Sequence, residues 1–265
     1  MLDLDAMRAL LERGEGRDRA FVDAMIRMRW SRARAPAERD ELSELHAALR
    51  AAAIRSQAAI REEIASGALR GAPLRRRFEA VPTGERDHFV EEVLGIAYPP
   101  LDEPVLPPEL IGYQPSGYDE IVHAFDATRL APGDRLLDVG SGAGKVVMLA
   151  TLLAGATSYG IERDGALVKI AEDACRDLRI AEAVCFARAD AREVPVEDAD
   201  VVFMYLPFSG KTLATFVNGV MERGRRSPRR ARGRFLCAGP LDLSRYRDLV
   251  AGGPPRSWLH IYAWR

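Results

Sequence analysis

Lysine and cysteine are the scarce residues of this 265-residue chain. Only three of its 38 basic side chains are lysines, Lys145, Lys169 and Lys211. The three cysteines, Cys175, Cys185 and Cys237, are scattered, with no C-x-x-C pair and no histidine pattern beside them. That excludes a disulfide scaffold and a cysteine-ligated metal site, and it fits a reducing compartment. The four histidines, His46, His88, His123 and His260, are isolated, and no serine–histidine–acid or cysteine–histidine arrangement stands out. Excess charge is absent as well: 38 Lys+Arg stand against 39 Asp+Glu, so bulk attraction to nucleic acid or anionic membrane is not available. The longest uncharged run, Val146 to Ile161, is shorter than the ~18 residues a membrane span requires. The opening MLDLDAMRALLERGEG is acidic and lacks the apolar core of a secretory signal, so the expected location is cytoplasmic.

What is present divides at a proline-rich stretch. Residues 99–110, PPLDEPVLPPEL, place five prolines in twelve positions, which no helix interior tolerates, and they read as a linker. Residues 1–98 before it read as an all-helical domain. Phe21, Met25 and Met28 follow one helical stripe, and Leu42, Leu45 and Leu49 another. Pro36 suits a first helical turn, the helix after it runs towards Gly67 with Ile60 and Ile64 continuing its stripe, and Thr83 suits an N-cap for a helix ending near Gly95. Such a region serves as a cap on the domain that follows, or as a face for a substrate or a second copy of the chain.

From residue 111 to 265 strands and helices alternate. Ser116 is the expected cap of a helix over Tyr118 to Thr128. Strands are expected at 135–139, 157–162, 183–189, 200–206, 234–239 and 257–264, with helices following Gly144, Asp164 and Lys211. The pattern predicts an α/β fold, a doubly wound, Rossmann-like, mostly parallel sheet behind an N-terminal all-helical domain. The chain contains no internal repeat.

The chemistry concentrates where the first strand ends. Asp138-Val-Gly140-Ser141-Gly142-Ala-Gly144 follows that strand and opens a helix, so glycines supply positive φ and close backbone approach while helix-start amides face an anionic group. The dinucleotide fingerprint would require a glycine where Lys145 stands, which argues against NAD or FAD. Three carboxylates instead end three successive strands. Asp138 suits an amino-acid ammonium, Glu162 a ribose diol and Asp190 an adenine amino group, in the crevice where open α/β sheets bind ligands. A ligand with an ammonium, a ribose diol and an adenine is S-adenosyl-L-methionine (SAM), whose demethylated product is S-adenosyl-L-homocysteine (SAH).

With these residues on the page, 111–240 resembles a class I SAM-dependent methyltransferase. Within that class it resembles the non-SET lysine methyltransferases, both the disruptor-of-telomeric-silencing type and the enzymes related to the ATP-synthase c-subunit lysine methyltransferase. The resemblance rests on Tyr113-Gln-Pro-Ser-Gly-Tyr118 before the first strand, on the glycine loop, on Tyr159-Gly-Ile-Glu162, and on Tyr205-Leu-Pro-Phe208 after the fourth strand. Gln114 and Tyr205 depart from the histone-enzyme pattern, which has Gly and Asn there. The resemblance implies methyl transfer to a nitrogen of a protein lysine or small amine, with Tyr205 and Phe208 forming the aromatic pocket and Tyr113 or Tyr118 closing over the cofactor.

Two other readings stand beside it: a SAM-binding sensor or assembly protein without transfer activity, and a nucleic-acid methyltransferase using RGRRSPRRARGR at 223–234. That tract carries seven arginines and no acid, but its place between a helix and the fifth strand puts it on the face opposite the crevice, where a solvated loop is expected. Tyr205-Leu-Pro-Phe208 also departs from the acceptor motif of nucleic-acid amino methyltransferases at its first two positions.

Overall fold

The structure is a computed structural model; it describes residues 4–13, 16–102, 112–191, 193, 199–205, 210–226, 235–239, 243, 249–251 and 259–264. Helices α1 (Leu4–Arg13), α2 (Gly16–Trp30), α3 (Pro36–Ser56), α4 (Ala58–Ala65), α5 (Gly71–Glu79) and α6 (Thr83–Leu94) come first. Then follow α7 (Tyr118–Thr128), β1 (Arg135–Val139), α8 (Lys145–Leu149), β2 (Thr157–Glu162), α9 (Gly165–Asp177), β3 (Val184–Arg188), β4 (Val201–Met204), α10 (Gly210–Arg226), β5 (Phe235–Ala238), β6 (Leu249–Ala251) and β7 (His260–Trp264). A π-helical turn, Ala150–Ala154, continues α8. None of the described helices is long and apolar enough to cross a membrane.

The seven strands form one sheet in the order β3-β2-β1-β4-β5-β7-β6, with β1 to β5 parallel and β7 antiparallel to both β5 and β6. The doubly wound sheet expected above is therefore present, with an antiparallel edge of two strands where only one was expected. Side-chain alternation sets the two layers. Leu136, Val201 and Phe203 face one core, shared with α7, α8 and α9. Leu137, Val139, Ile161, Val202 and Met204 face the other, against Leu213, Phe216, Val217 and Val220 of α10.

The first of these cores does not stop at the proline-rich segment. Ile60 and Ile64 of α4, Leu74 and Phe78 of α5, and Val90, Val93 and Leu94 of α6 belong to it, together with Tyr118, Ile121 and Phe125 of α7. A separate core joins α1, α2 and α3 through Met7, Val22, Ile26, Leu42, Leu45 and Leu49. Ala97 and Tyr98, just after α6, return to this separate core, so it and the first core meet within the helical region. Residues 103–110 of the linker, and residue 111 after it, lie outside the described residues.

Local details depart from the sequence expectations in four places. The buried stripe of α2 is Val22 and Ile26, whereas Phe21 is 49 % exposed, one position off the stripe read from the sequence. The N-cap of α6 is Pro82 and not Thr83, and its C-terminus is closed by Gly95 at φ +80°. Ser116 does not cap α7: the cap position is Gly117, and the amide of Tyr118 instead donates to Oδ1 of Asp87 on α6 at 2.6 Å. Pro36 does open α3, and Asp164 caps α9 by accepting from the amide of Ala166. The fourth departure, the placement of Tyr118, belongs to the site.

Candidate active site

β1 delivers its backbone into a turn in which Gly140, Gly142 and Gly144 all adopt positive φ, +76°, +52° and +83°. The amides of Gly140 and Ser141 both donate to the carbonyl of Ile161 on β2, at 2.9 and 3.0 Å, and that of Gly144 donates to Ser141 at 2.8 Å. Gly144 also has no room for a side chain, since a β-carbon would meet Cζ of Phe186 at 2.7 Å and Cβ of Ala171 at 3.0 Å. Behind the turn, the Oγ of Ser141 is buried without a hydrogen-bond partner.

Glu162, at the end of β2, is tied to this turn. One carboxylate oxygen accepts from the amides of Arg163 and Asp164, at 2.6 and 2.9 Å, and the other accepts from the amide of Gly142 at 2.9 Å. Asp138 is 3 % exposed. Burial, reinforced by the negative field of Glu162, pushes its carboxyl up to about 8. Asp190 lies half-buried two residues beyond β3, and its carbonyl accepts from the amide of Glu193 at 2.9 Å.

The aromatic residues divide. Tyr113 packs its ring on Gly142, close enough that a β-carbon there would lie 2.2 Å from Cε2. Burial raises the Tyr113 hydroxyl well above the ordinary phenol range, the negative field of Glu91 adds to this, and the backbone amide of Ala143 opposes it. Tyr205 follows β4, half-buried against the same core; burial and then the field of Glu120 raise its hydroxyl. Tyr118 lies elsewhere: it is 1 % exposed and makes an edge contact with Phe78 at 5.7 Å, so it is a core residue under α7. Of the two tyrosines expected over the site, Tyr113 is therefore the one that packs on the glycine loop. Phe208 lies outside the described residues, as do 227–234 of the arginine tract.

Three residues of this region were not recognised as such from the sequence. Lys145, directly after the glycine loop, is 4 % exposed, and its Nζ reaches Asp87 at 2.6 Å and Glu91 at 2.9 Å, both on α6. The signal available was an i,i+4 pair of acids on one helix face together with a lone lysine at a position where nucleotide loops carry glycine. Nothing local in the sequence joins the two.

The arrangement fits SAM on its own chemistry. A buried carboxyl, a carboxylate that already accepts three amides, and a third acid line the ends of three adjacent strands beside a glycine-rich turn. Residues 113–187, which contain most of this constellation, match the family described as histone methylation protein DOT1. The chain is a SAM-dependent methyltransferase.

Solved structures similar to this methyltransferase include an RNA methyltransferase from Salinibacter ruber in complex with SAH. It is 25 % identical, with 57 % of this chain and 92 % of that one covered and a TM-score of 0.47. SAM-dependent methyltransferases from Thiobacillus denitrificans (23 % identical, 48 % and 49 % covered, TM-score 0.39) and Geobacter sulfurreducens (26 %, 46 % and 47 %, 0.38), both with SAH, are also similar. The methyltransferase spans about half the length of these last two. No curated protein matches the sequence.

Proposed function

We propose that the methyltransferase acts on an amine nitrogen, with a protein lysine the first candidate and a small-molecule amine the second. The observation that carries this reading is the match of residues 113–187 to a histone methylation family. In this assignment Asp138 accepts from the ammonium of the cofactor, Glu162 from the ribose diol and Asp190 from the adenine amino group. Gly140, Ser141, Gly142 and Gly144 supply the turn against which the cofactor lies, and Tyr113 covers it.

Bound SAM supplies an electrophilic methyl group on a sulfonium, so the chain's own residues have to align the acceptor and exclude water. The acceptor ammonium first gives its proton to solvent. SAM held by these residues would supply its methyl carbon to that nitrogen lone pair, with the carbon–sulfur electron pair retained by SAH. Tyr205, with Phe208 beside it in sequence, provides an aromatic surface that favours the neutral amine before transfer and the cationic product after it.

The test is transfer of label from methyl-tritiated SAM to protein, RNA and small-amine fractions of one bacterial extract, with SAH release followed in parallel. Label is expected in protein, and prior acetylation of its lysines is expected to abolish it. Label confined to RNA, or protein label that survives acetylation, would overturn the lysine assignment.

A further inference from the structure

We propose that Asp87 and Glu91, on a helix before the proline-rich segment, are positioning residues of the cofactor site that act through Lys145. The inference rests on the assignment of the glycine loop to SAM and adds to that site a part that lies outside the matched region 113–187.

The geometry begins with one oxygen. Oδ1 of Asp87 accepts at 2.6 Å from the amide of Tyr118, which opens α7, and also at 2.6 Å from Nζ of Lys145, which opens α8. The segment that carries Tyr113 and the turn that carries Gly140 to Gly144 are therefore tied to the same carboxylate. Glu91, one turn further along α6, takes Lys145 from the other side at 2.9 Å. The ring of Tyr113 packs on Gly142 and lies within the field of Glu91.

A structural ion pair alone does not account for this arrangement. The lysine side chain is 4 % exposed, with one partner, Asp87, 52 % exposed and the other, Glu91, 18 % exposed, so a strongly hydrated ammonium has been taken out of water to bridge a carboxylate in solvent and one beside the site. Burying such a charge contributes little net stability, and an apolar residue of the same length would pack there at least as well. What the charge does supply is direction. It fixes the first residue of α8 relative to α6, and with it the backbone that follows Gly144. Gly144 is already held on its other side by Phe186 and Ala171, so the loop has two fixed flanks, one from the sheet layer and one from the helical region.

Two-site linkage then follows: whatever holds α6 in place favours the cofactor-competent loop, and cofactor on the loop favours docked α6 by the same factor. The experiment uses the full chain. SAH titrations by calorimetry are compared for the wild type, Lys145→Met, Lys145→Arg, the pair Asp87→Asn with Glu91→Gln, and a control, Lys169→Ala, whose pair with Asp173 lies on the exposed face of α9. Hydrogen exchange over residues 83–94 is read with and without SAH. Lys145→Met and the double variant are expected to lose affinity about tenfold or more, Lys145→Arg to retain most of it, and SAH to slow exchange over 83–94 only where the charges remain. If Lys145→Met or the double variant does not fold, the single variant Asp87→Asn, which alters a half-exposed side chain and leaves Glu91 to pair Lys145, carries the test. Variants that bind SAH as the wild type does, with only their thermal midpoints lowered, would show a purely structural ion pair and overturn the proposal. A wild type that binds no SAH would instead overturn the cofactor assignment, and this proposal with it.

Discussion

The ring of Tyr113 rests on the α-carbon of Gly142, so that a β-carbon at that position would meet Cε2 at 2.2 Å and Cδ2 at 2.7 Å. Gly142 also sits at φ +52°, where a side chain costs about 1–2 kcal/mol. Gly142→Ala is therefore expected to lower SAH affinity by about tenfold or more while leaving the far-ultraviolet circular dichroism unchanged. Part of the loss is expected to return in the Tyr113→Ala background, because the steric share vanishes and the backbone share stays. A double-mutant cycle by calorimetry separates the two.

In the proposed assignment Glu162 supports the loop and accepts from the ribose at once. Its removal costs charge-assisted hydrogen bonds, each worth about 1.5–3 kcal/mol. Glu162→Ala is expected to weaken SAH binding by at least one such bond and to lower the thermal midpoint modestly, since the amide of Gly142 loses its acceptor. Glu162→Gln is expected to fall between the two. Titration alongside thermal unfolding checks both effects.

Asp138 makes binding and stability respond to pH in opposite senses. Its carboxyl is raised from 3.8 to about 8 in the folded chain, so the native state holds a proton that the unfolded state releases across that window. Unliganded stability contributed by this group is full below the lower value and falls as pH rises towards the upper one. Urea midpoints of the wild type are thus expected to drop from pH 5 to pH 8 relative to Asp138→Asn. A cationic cofactor favours the ionised carboxylate, so SAH or SAM binding is expected to release a proton and to tighten towards pH 8. Calorimetry in buffers of different ionisation heat measures that proton.

Phe78 tests the shared core. It is fully buried and packs edge-on against Tyr118 at 5.7 Å, although it lies before the proline-rich segment. Phe78→Ala is expected to cost about 3–5 kcal/mol of the stability of the sheet half. Denaturant unfolding followed by tryptophan fluorescence in a Trp30→Phe background, which leaves only Trp258 and Trp264 of the sheet half, reports it; a transition unmoved by the substitution would mean that the two halves unfold independently.

The parts of the fold visible in the sequence are those set by local or short-range chemistry. β1 and β4 read as largely apolar runs because central parallel strands are covered on both faces. The glycine loop is legible because three positive-φ positions demand glycine, and Asp164 because its cap is two residues away. What escaped was tertiary. Ser116 has the chemistry of an N-cap, but Asp87 reaches α7 first from thirty-one residues earlier. Tyr118 has the chemistry of a pocket aromatic, but its place on α7 turns it to Phe78. Phe21, Met25 and Met28 have helical spacing, as do Val22 and Ile26, and only packing chooses between stripes one position apart. Asp87, Glu91 and Lys145 form the same kind of case at the site: each is ordinary alone, and their meaning is the contact.

The lysines of the chain have one more consequence. Lys145 is sequestered between two carboxylates, Lys169 is held by Asp173, and Lys211 stands exposed at the start of α10. On the lysine-acceptor reading, the catalyst offers its own kind of substrate almost nothing to modify. Self-labelling, the usual background in assays of such transferases, would be confined to two surface positions, and changing both to arginine would leave a silent enzyme against which a true acceptor is read directly.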